Sequence, residues 1–165
     1  FTPTYEVDGA SGGDAWRLSP GNDWALGADG DDTIGGKAGD DLLEGGKGDD
    51  VLRGGADNDI VTGGRGDDRL YGGEGADILV GGKGKDTFHV SGDGGDLIAD
   101  FEPGVDRIVI DGKRVSLHDL ERDFPDVVIA TASEVTTGVP KPGLHGGVVP
   151  PHPVDLHAAS IDLLL

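Results

Sequence analysis

Between Gly27 and His89 the sequence can be cut every nine residues without a gap, into GADGDDTIG, GKAGDDLLE, GGKGDDVLR, GGADNDIVT, GGRGDDRLY, GGEGADILV and GGKGKDTFH. Four of these blocks fit G-G-x-G-x-D-x-U-x at every fixed place, with U a large apolar residue. The sixth place is always aspartate: Asp32, Asp41, Asp50, Asp59, Asp68, Asp77 and Asp86. The eighth is always apolar: Ile34, Leu43, Leu52, Val61, Leu70, Leu79 and Phe88. Nine residues hold a glycine-rich turn of about six and a strand of about three. An acidic, glycine-rich linker has no reason to keep an apolar residue in phase with aspartate seven times over.

Three strand residues offer one inward side chain, which accounts for the single reliable apolar place per block. Two blocks then complete one coil, and blocks n and n+2 stack in the same sheet. The expected fold is all-β, a right-handed parallel β-roll with two inner rows. Ile34, Leu52, Leu70 and Phe88 line one row; Leu43, Val61 and Leu79 line the other. Such a core is thin, because ordering nine residues costs far more than burying one apolar side chain returns. Glycine, which loses the most freedom on ordering, deepens the deficit. Something else must hold the turns.

The turns carry oxygen donors and no soft ligands. Carboxylates at a fixed place beside freed backbone carbonyls suit a hard cation with six to eight ligands, Ca²⁺ before Mg²⁺ or zinc. Glycines let the backbone curl so that its carbonyls face the ion: Gly30, Gly39, Gly46, Gly48, Gly55, Gly64, Gly66, Gly73 and Gly75. A site would lie between stacked turns, sharing the place-six Asp of one block with the turn two blocks further on. Seven blocks give five such sites.

These blocks resemble the RTX repeats of proteins exported by type I secretion systems of Gram-negative bacteria, among them haemolysins, serralysin-type proteases and alginate epimerases. The resemblance covers about half the chain. It implies that the place-six Asp is the side-chain ligand and that turn carbonyls complete the calcium shell. Three departures stand out: Ala28 and Lys37 replace the second Gly of their blocks, and Asp57 replaces a fourth-place Gly. Asp tolerates the left-handed region better than most residues, so Asp57 can keep its turn.

The formal charge of −19 disfavours nucleic acid and anionic membranes as partners. It also predicts an expanded metal-free chain. Each Ca²⁺ adds two positive charges, so five would bring −19 to −9. With 32 glycines in 165 residues and only 35% hydrophobic residues, a conventional globular core is disfavoured. The absence of cysteine agrees with a secreted protein stapled by metal instead of disulfides. No apolar run approaches the roughly 18 residues of a membrane-spanning helix, so no membrane insertion is expected. The chain opens with Phe, which reads as a monomeric fragment or processed product of a larger protein.

Continuing the cut backwards gives LSPGNDWAL (18–26) and GASGGDAWR (9–17), which keep Gly21 and Gly12 at place four and Asp23 and Asp14 at place six. They read as eroded repeats forming an N-terminal cap over residues 1–26, and Asp14 and Asp23 add up to two further metal positions. Residues 27–95 form the roll, and VSGDGG (90–95) breaks its register. Residues 96–165 read as a C-terminal β-strand cap and secretion segment. Within it, Asp96–Phe101 and Asp106–Asp111 are expected strands around the Pro103-Gly104 turn. Asp96, Ile98, Asp100, Phe101, Gly104, Asp106 and Ile108 match a pattern that often follows RTX repeats. Asp96 and Asp100 read either as solvated strand-edge carboxylates or as a further calcium site.

Ser116 can cap a short helix over 116–123, and Asp126–Ala132 reads as a strand. The stretch 136–153 is rich in Pro and Gly and reads as a loop, with His145, His152 and His157 in or just beyond it as exposed residues. Asp162–Leu165 resembles the acidic-then-apolar ending of type I substrates. No H-E-x-x-H, G-x-S-x-G, Cys nucleophile or P-loop is present, so no enzyme is expected within these residues. The reading is therefore a non-enzymatic, secreted, extracellular module binding about five or more Ca²⁺, with a type I ABC exporter as partner. The alternative is a structural or adhesive repeat protein. Few aromatics and no extended exposed apolar array argue against a dedicated binding face.

Overall fold

A computed structural model describes residues 5–92 and 94–131. Thirteen of its strands coil in sequence: β1 (Tyr5–Asp8), β2 (Ala15–Arg17), β3 (Asp23–Asp29), β4 (Thr33–Ala38), β5 (Leu42–Lys47), β6 (Val51–Ala56), β7 (Ile60–Arg65), β8 (Arg69–Glu74), β9 (Ile78–Lys83), β10 (Thr87–Val90), β11 (Leu97–Phe101), β12 (Arg107–Ile110) and β13 (Lys113–Val115). Helix α1 (Leu117–Asp123) and β14 (Val128–Thr131) follow. Alternate strands belong to opposite sheets. One sheet runs β1-β3-β5-β7-β9-β11-β14 and the other β13-β12-β10-β8-β6-β4-β2. Every pairing is parallel except β12 with β13. The fold is a parallel β-roll.

Its register follows from the repeat. Ile34, Leu52, Leu70 and Phe88 lie opposite one another in one sheet, and Leu43, Val61 and Leu79 in the other. All seven are fully buried between the sheets. The two eroded blocks join in register, Trp16 beside Ile34 and Ala25 beside Leu43.

The strands are longer than the three residues expected. Each ladder has two runs: Thr33–Gly35 pairs with Val51–Arg53, Gly36 is skipped, and Lys37 and Ala38 resume against Gly55 and Ala56. The first run is the expected strand. The second exists because the start of each turn still hydrogen-bonds to the turn beneath it.

The register break after residue 90 is a slip, not an end. The Asp77 N–H donates to Asp96 19 residues on, and the Asp86 N–H to Asp106 20 residues on. Ile98 then falls opposite Leu79, and Ile108 opposite Phe88. The strands on either side of Pro103-Gly104 do not pair with each other. β11 extends one sheet and β12 the other, adding a further coil. Beyond it β13, a strand that no residue pattern announces, turns back on β12. Helix α1 starts at its expected cap: the Ser116 Oγ accepts from the Asp119 N–H at 3.3 Å. Leu120 and Val127 are buried over the end of the roll. The strand expected at Asp126–Ala132 is β14. The segment 136–153, His145, His152, His157 and Asp162–Leu165 lie outside the described residues.

One expectation is overturned on the outer surface. Place seven of alternate blocks stacks Trp24, Leu42, Ile60, Ile78, Leu97 and Val128 into a continuous apolar column outside the first sheet. Ile60 is 43% exposed and Val128 55%. The sequence conceals this column because the intervening blocks place Thr33, Val51, Arg69 and Thr87 there. Outside the second sheet, Arg53 lies 4.6 Å over the Tyr71 ring, which stacks on His89 at 4.1 Å.

Inner and outer side chains of one roll should differ sharply in what they contribute. Leu70→Ala should cost roughly 2–5 kcal/mol in chemical denaturation at saturating calcium. Ile60→Ala, on the open face, should cost far less. Equal losses would mean that the inner rows are not the core.

Candidate metal centre

The place-six aspartates form two buried columns, one along each row of turns. Asp32, Asp41, Asp50, Asp59, Asp68, Asp77 and Asp86 are each no more than 2% exposed. Each column is held by one repeated contact. The N–H of Asp32 donates to Asp50 Oδ1 at 2.7 Å, that of Asp50 to Asp68 Oδ1 at 2.8 Å, and that of Asp68 to Asp86 Oδ1 at 2.9 Å. On the other side Asp41, Asp59 and Asp77 are linked in the same way. One carboxylate oxygen per residue is thereby satisfied. The second, Oδ2 of Asp32, Asp41, Asp50, Asp59, Asp68 and Asp77, is buried without a hydrogen-bond partner. A buried, unpartnered, charged oxygen is costly, and six in register call for a common counter-ion.

Glycine shapes the space beside these oxygens. A Cβ on the first-place residue (Gly27, Gly36, Gly45, Gly54, Gly63, Gly72 or Gly81) would fall 1.9–2.4 Å from the Oδ2 of its own block's Asp. At Gly45 the same point lies 2.8 Å from the carbonyl oxygen of Gly63, in the turn two blocks on. Gly27, Gly36 and Gly63 repeat this with the carbonyls of Gly45, Gly54 and Gly81. The orphaned oxygen and a neighbouring carbonyl thus face one bare Cα. Reasoning from backbone freedom does not find these residues, since their φ angles need no glycine. It finds places two and four: Gly30, Gly39, Gly46, Gly48, Gly55, Gly64, Gly66, Gly73 and Gly75 all have φ between 105° and 134°. Asp57 keeps its turn in the left-handed region at φ 76°, and its Oδ2 accepts from the Gly39 N–H at 3.1 Å.

Place five, which carries no fixed residue in the pattern, holds a second ladder. Asp31 Oδ1 accepts from the Asp49 N–H at 2.9 Å, Asp49 Oδ1 from Asp67, and Asp67 Oδ1 from Lys85. It runs opposite in sense to the place-six ladder and lies at the exposed rim.

At the C-terminal end the carboxylates differ from expectation. Asp96 is fully buried and accepts from the Asp77 and Ser91 N–H groups. Asp100 accepts from the Gly81 and Gly82 N–H groups at 2.8 and 2.7 Å. Neither is a solvated edge carboxylate, because the slipped register carries both into the stack. At the other end Asp14 and Asp23 donate their N–H groups to Asp32 and Asp41.

The electrostatics follow from burial. It pushes Asp59 and Asp68 up to about 7, and Asp41, Asp50 and Asp86 up to about 6. Carboxylates above and below in the same column add to the rise, and the backbone N–H contact opposes it. Among the described residues no three carboxylates or histidines converge on one point. The donors in each gap are therefore a carboxylate oxygen and main-chain carbonyls, a set that fits Ca²⁺.

The profile of a known family, the RTX calcium-binding nonapeptide repeat in four copies, matches at residues 8–43, 18–52, 35–70, 53–88 and 62–98. Together these cover 8–98, more than half of the chain. The chain belongs to the RTX calcium-binding repeat family. Its repeats bind calcium, and the matched span crosses the slip after residue 90. Among solved structures, the extracellular lipase LipA from Serratia marcescens aligns at 21% identity over 67% of this chain, with a TM-score of 0.28. The alignment spans about a third of the lipase, 33% of its chain. No curated protein matches the chain.

Two outcomes follow for this RTX roll. Gly45→Ala places a methyl group against Asp50 Oδ2 and should raise the calcium needed for folding. Gly35→Ala, whose Cβ would meet nothing nearer than 3.9 Å, should not. A parallel response in calcium titrations would sever the cradle from binding. The pH dependence has a definite sign. Carboxyls raised from 3.8 to about 7 bind protons more tightly in the folded metal-free chain than in the unfolded one. Metal-free stability is therefore greatest below about pH 4 and is lost as pH rises towards 7. Far-UV circular dichroism in EDTA should show more β-structure at pH 5 than at pH 8.

Proposed function

We propose that this chain is a calcium-driven folding module that supports the type I secretion and extracellular stability of a larger protein. The observation that carries the reading is the buried Oδ2 left without a partner at each stacked turn, in a chain of formal charge −19. Five gaps between the seven regular blocks each present one such oxygen, from Asp32, Asp41, Asp50, Asp59 and Asp68. Asp77 supplies a sixth, and the Ser91 Oγ at the slip is likewise buried and unpartnered. About five or more Ca²⁺ is the count this supports. Residues 27–95 hold the metal, 1–26 cap the N-terminal end, and 96–165 supply the last coil, the cap and the exporter's signal.

Free calcium is submicromolar in the bacterial cytosol, whereas extracellular modules bind at about 10⁻⁴–10⁻³ M. Inside the cell the two carboxylate columns repel and the chain stays unfolded, fit for an ABC exporter. Outside, each metal-bound turn aids the next, so folding is cooperative along the stack. The module is monomeric and non-catalytic, and any enzymatic activity belongs to the remainder of the parent protein.

The apolar column from Trp24 to Val128 favours a second reading, a structural or adhesive surface. A longer repeat array upstream of Phe1 in the parent protein would support it, whereas an upstream enzyme motif would support the first.

The test is far-UV circular dichroism across a calcium titration from EDTA, repeated with magnesium. A steep coil-to-β transition specific to calcium at submillimolar to millimolar levels is expected. Its midpoint should move to higher calcium when Asp50, Asp59 and Asp68 become Asn. Full β-structure in EDTA at neutral pH would overturn the reading.

A further inference from the structure

The C-terminal end of the roll holds a cavity that the calcium-binding turns do not use. It has a volume of about 610 Å³ and opens among the turn between β11 and β12, β12 itself, β13 and the start of α1. That size suits a small molecule. Part of its wall is apolar: Phe101 and Ile108 are buried, while Val105 and Leu117 are each 39% exposed. Ile60 and Val128 apart, these two are the only large apolar side chains left exposed among the described residues, and both line this space.

The rest of the lining is charged and unevenly committed. Its two carboxylates are taken up by the fold. Asp106 accepts from the Asp86 and Glu102 N–H groups at 3.0 and 2.8 Å, and Asp119 from the Ser116 hydroxyl at 2.6 Å and from Arg122 at 3.2 Å. Its three cations, Lys85, Arg107 and Arg114, are not. The ion pairs among the described residues join Lys47 to Asp29 and Arg122 to Asp119 and Asp123, and none reaches them.

Strand pairing explains why the two arginines lie together. Arg114 stands opposite Val109, and Val109 shares the outer face of β12 with Arg107. Such diagonal neighbours lie about 7–8 Å apart, within reach of long side chains. Two guanidinium groups so placed repel each other, although the chain has 32 acidic residues from which to pair them. An oxyanion between them relieves that repulsion, and each guanidinium fork can donate two parallel N–H bonds to it. A single unpaired cation on a surface is ordinarily left to water. Here three converge on one space whose wall is exposed hydrocarbon.

We propose that this cavity binds a fatty-acid anion of short to medium chain length. Arg107 and Arg114 hold its carboxylate, Lys85 adds charge at the rim, and Val105 and Leu117 take its hydrocarbon. The inference goes beyond the calcium reading and requires only that the capped end of the roll be folded. It makes that end a ligand-binding unit as well as a cover for the sheets.

Methyl NMR of the calcium-loaded 165-residue chain, titrated with octanoate at constant calcium, tests this. Octanoate should shift the Val105 and Leu117 methyl signals to saturation. Acetate and 1-octanol, each lacking one half of the match, should bind at least about tenfold more weakly. Arg107→Gln combined with Arg114→Gln should weaken octanoate by about tenfold or more, with the calcium transition in circular dichroism unchanged. Lys85→Gln, in an exposed turn, is a second variant that should also weaken octanoate without touching the strands. Binding of 1-octanol or acetate as tight as that of octanoate would overturn the proposal. Full octanoate affinity in the arginine variant, or in Lys85→Gln where the arginine variant does not fold, would overturn it equally.

Discussion

A buried carboxylate column with one oxygen per residue unsatisfied is the constraint on which the roll depends. Parallel strands stack about 4.8 Å apart, so the place-six aspartates bring like charges close together in a medium less polar than water. Each backbone N–H removes part of the cost by donating to the carboxylate above it. That contact also fixes the carboxylate's orientation, turning Oδ1 along the column and Oδ2 into the gap. The remaining oxygen can be satisfied by a proton or by a cation, and at neutral pH in the presence of calcium the cation has the advantage. The same contacts that make the chain repel itself without metal set its ligands in place for metal.

The other features follow from this arrangement. A thin core suffices because the sheets need only be kept in register while the ions hold the turns; one fully buried side chain per block does that. The two glycines that open a block answer separate demands. The first removes a methyl group from the space beside Oδ2, and the second lets the backbone turn left-handed with no Cβ against the turn beneath. Lengthening of each strand into its turn has the same origin, since turns drawn together along the column come within hydrogen-bonding distance.

Much of this was legible in the sequence because the repeat maps one place in nine to one structural role. Asp at six, the apolar residue at eight and the pairing of block n with n+2 are all visible once the period is found. What was hidden lies where the period slips or where two periods combine. Single-residue insertions near Val90 and Asp100 moved Asp96, Ile98, Asp106 and Ile108 out of a nine-residue cut, although each still occupies its expected place in the stack. The outer apolar column has a period of 18 and vanishes when all blocks are averaged. First-place glycines escaped because their constraint is a distance to an Asp five residues on and to a carbonyl in another turn, neither of which shows in a backbone preference. Strand β13, three residues beside a Gly turn, has no pattern to read.

The unequal ends of the ladder bear on the direction of assembly. At the C-terminal end, the slipped coil and the cap of α1 and β14 give the last turns a covered end against which the next can order. If export proceeds C-terminus first, that end meets extracellular calcium while the rest of the chain is still inside, and metal-bound turns can be added one coil at a time. The N-terminal turns come last. There the Ser19 hydroxyl already meets both oxygens of the buried Asp23, whereas the regular turns that follow keep an orphaned Oδ2.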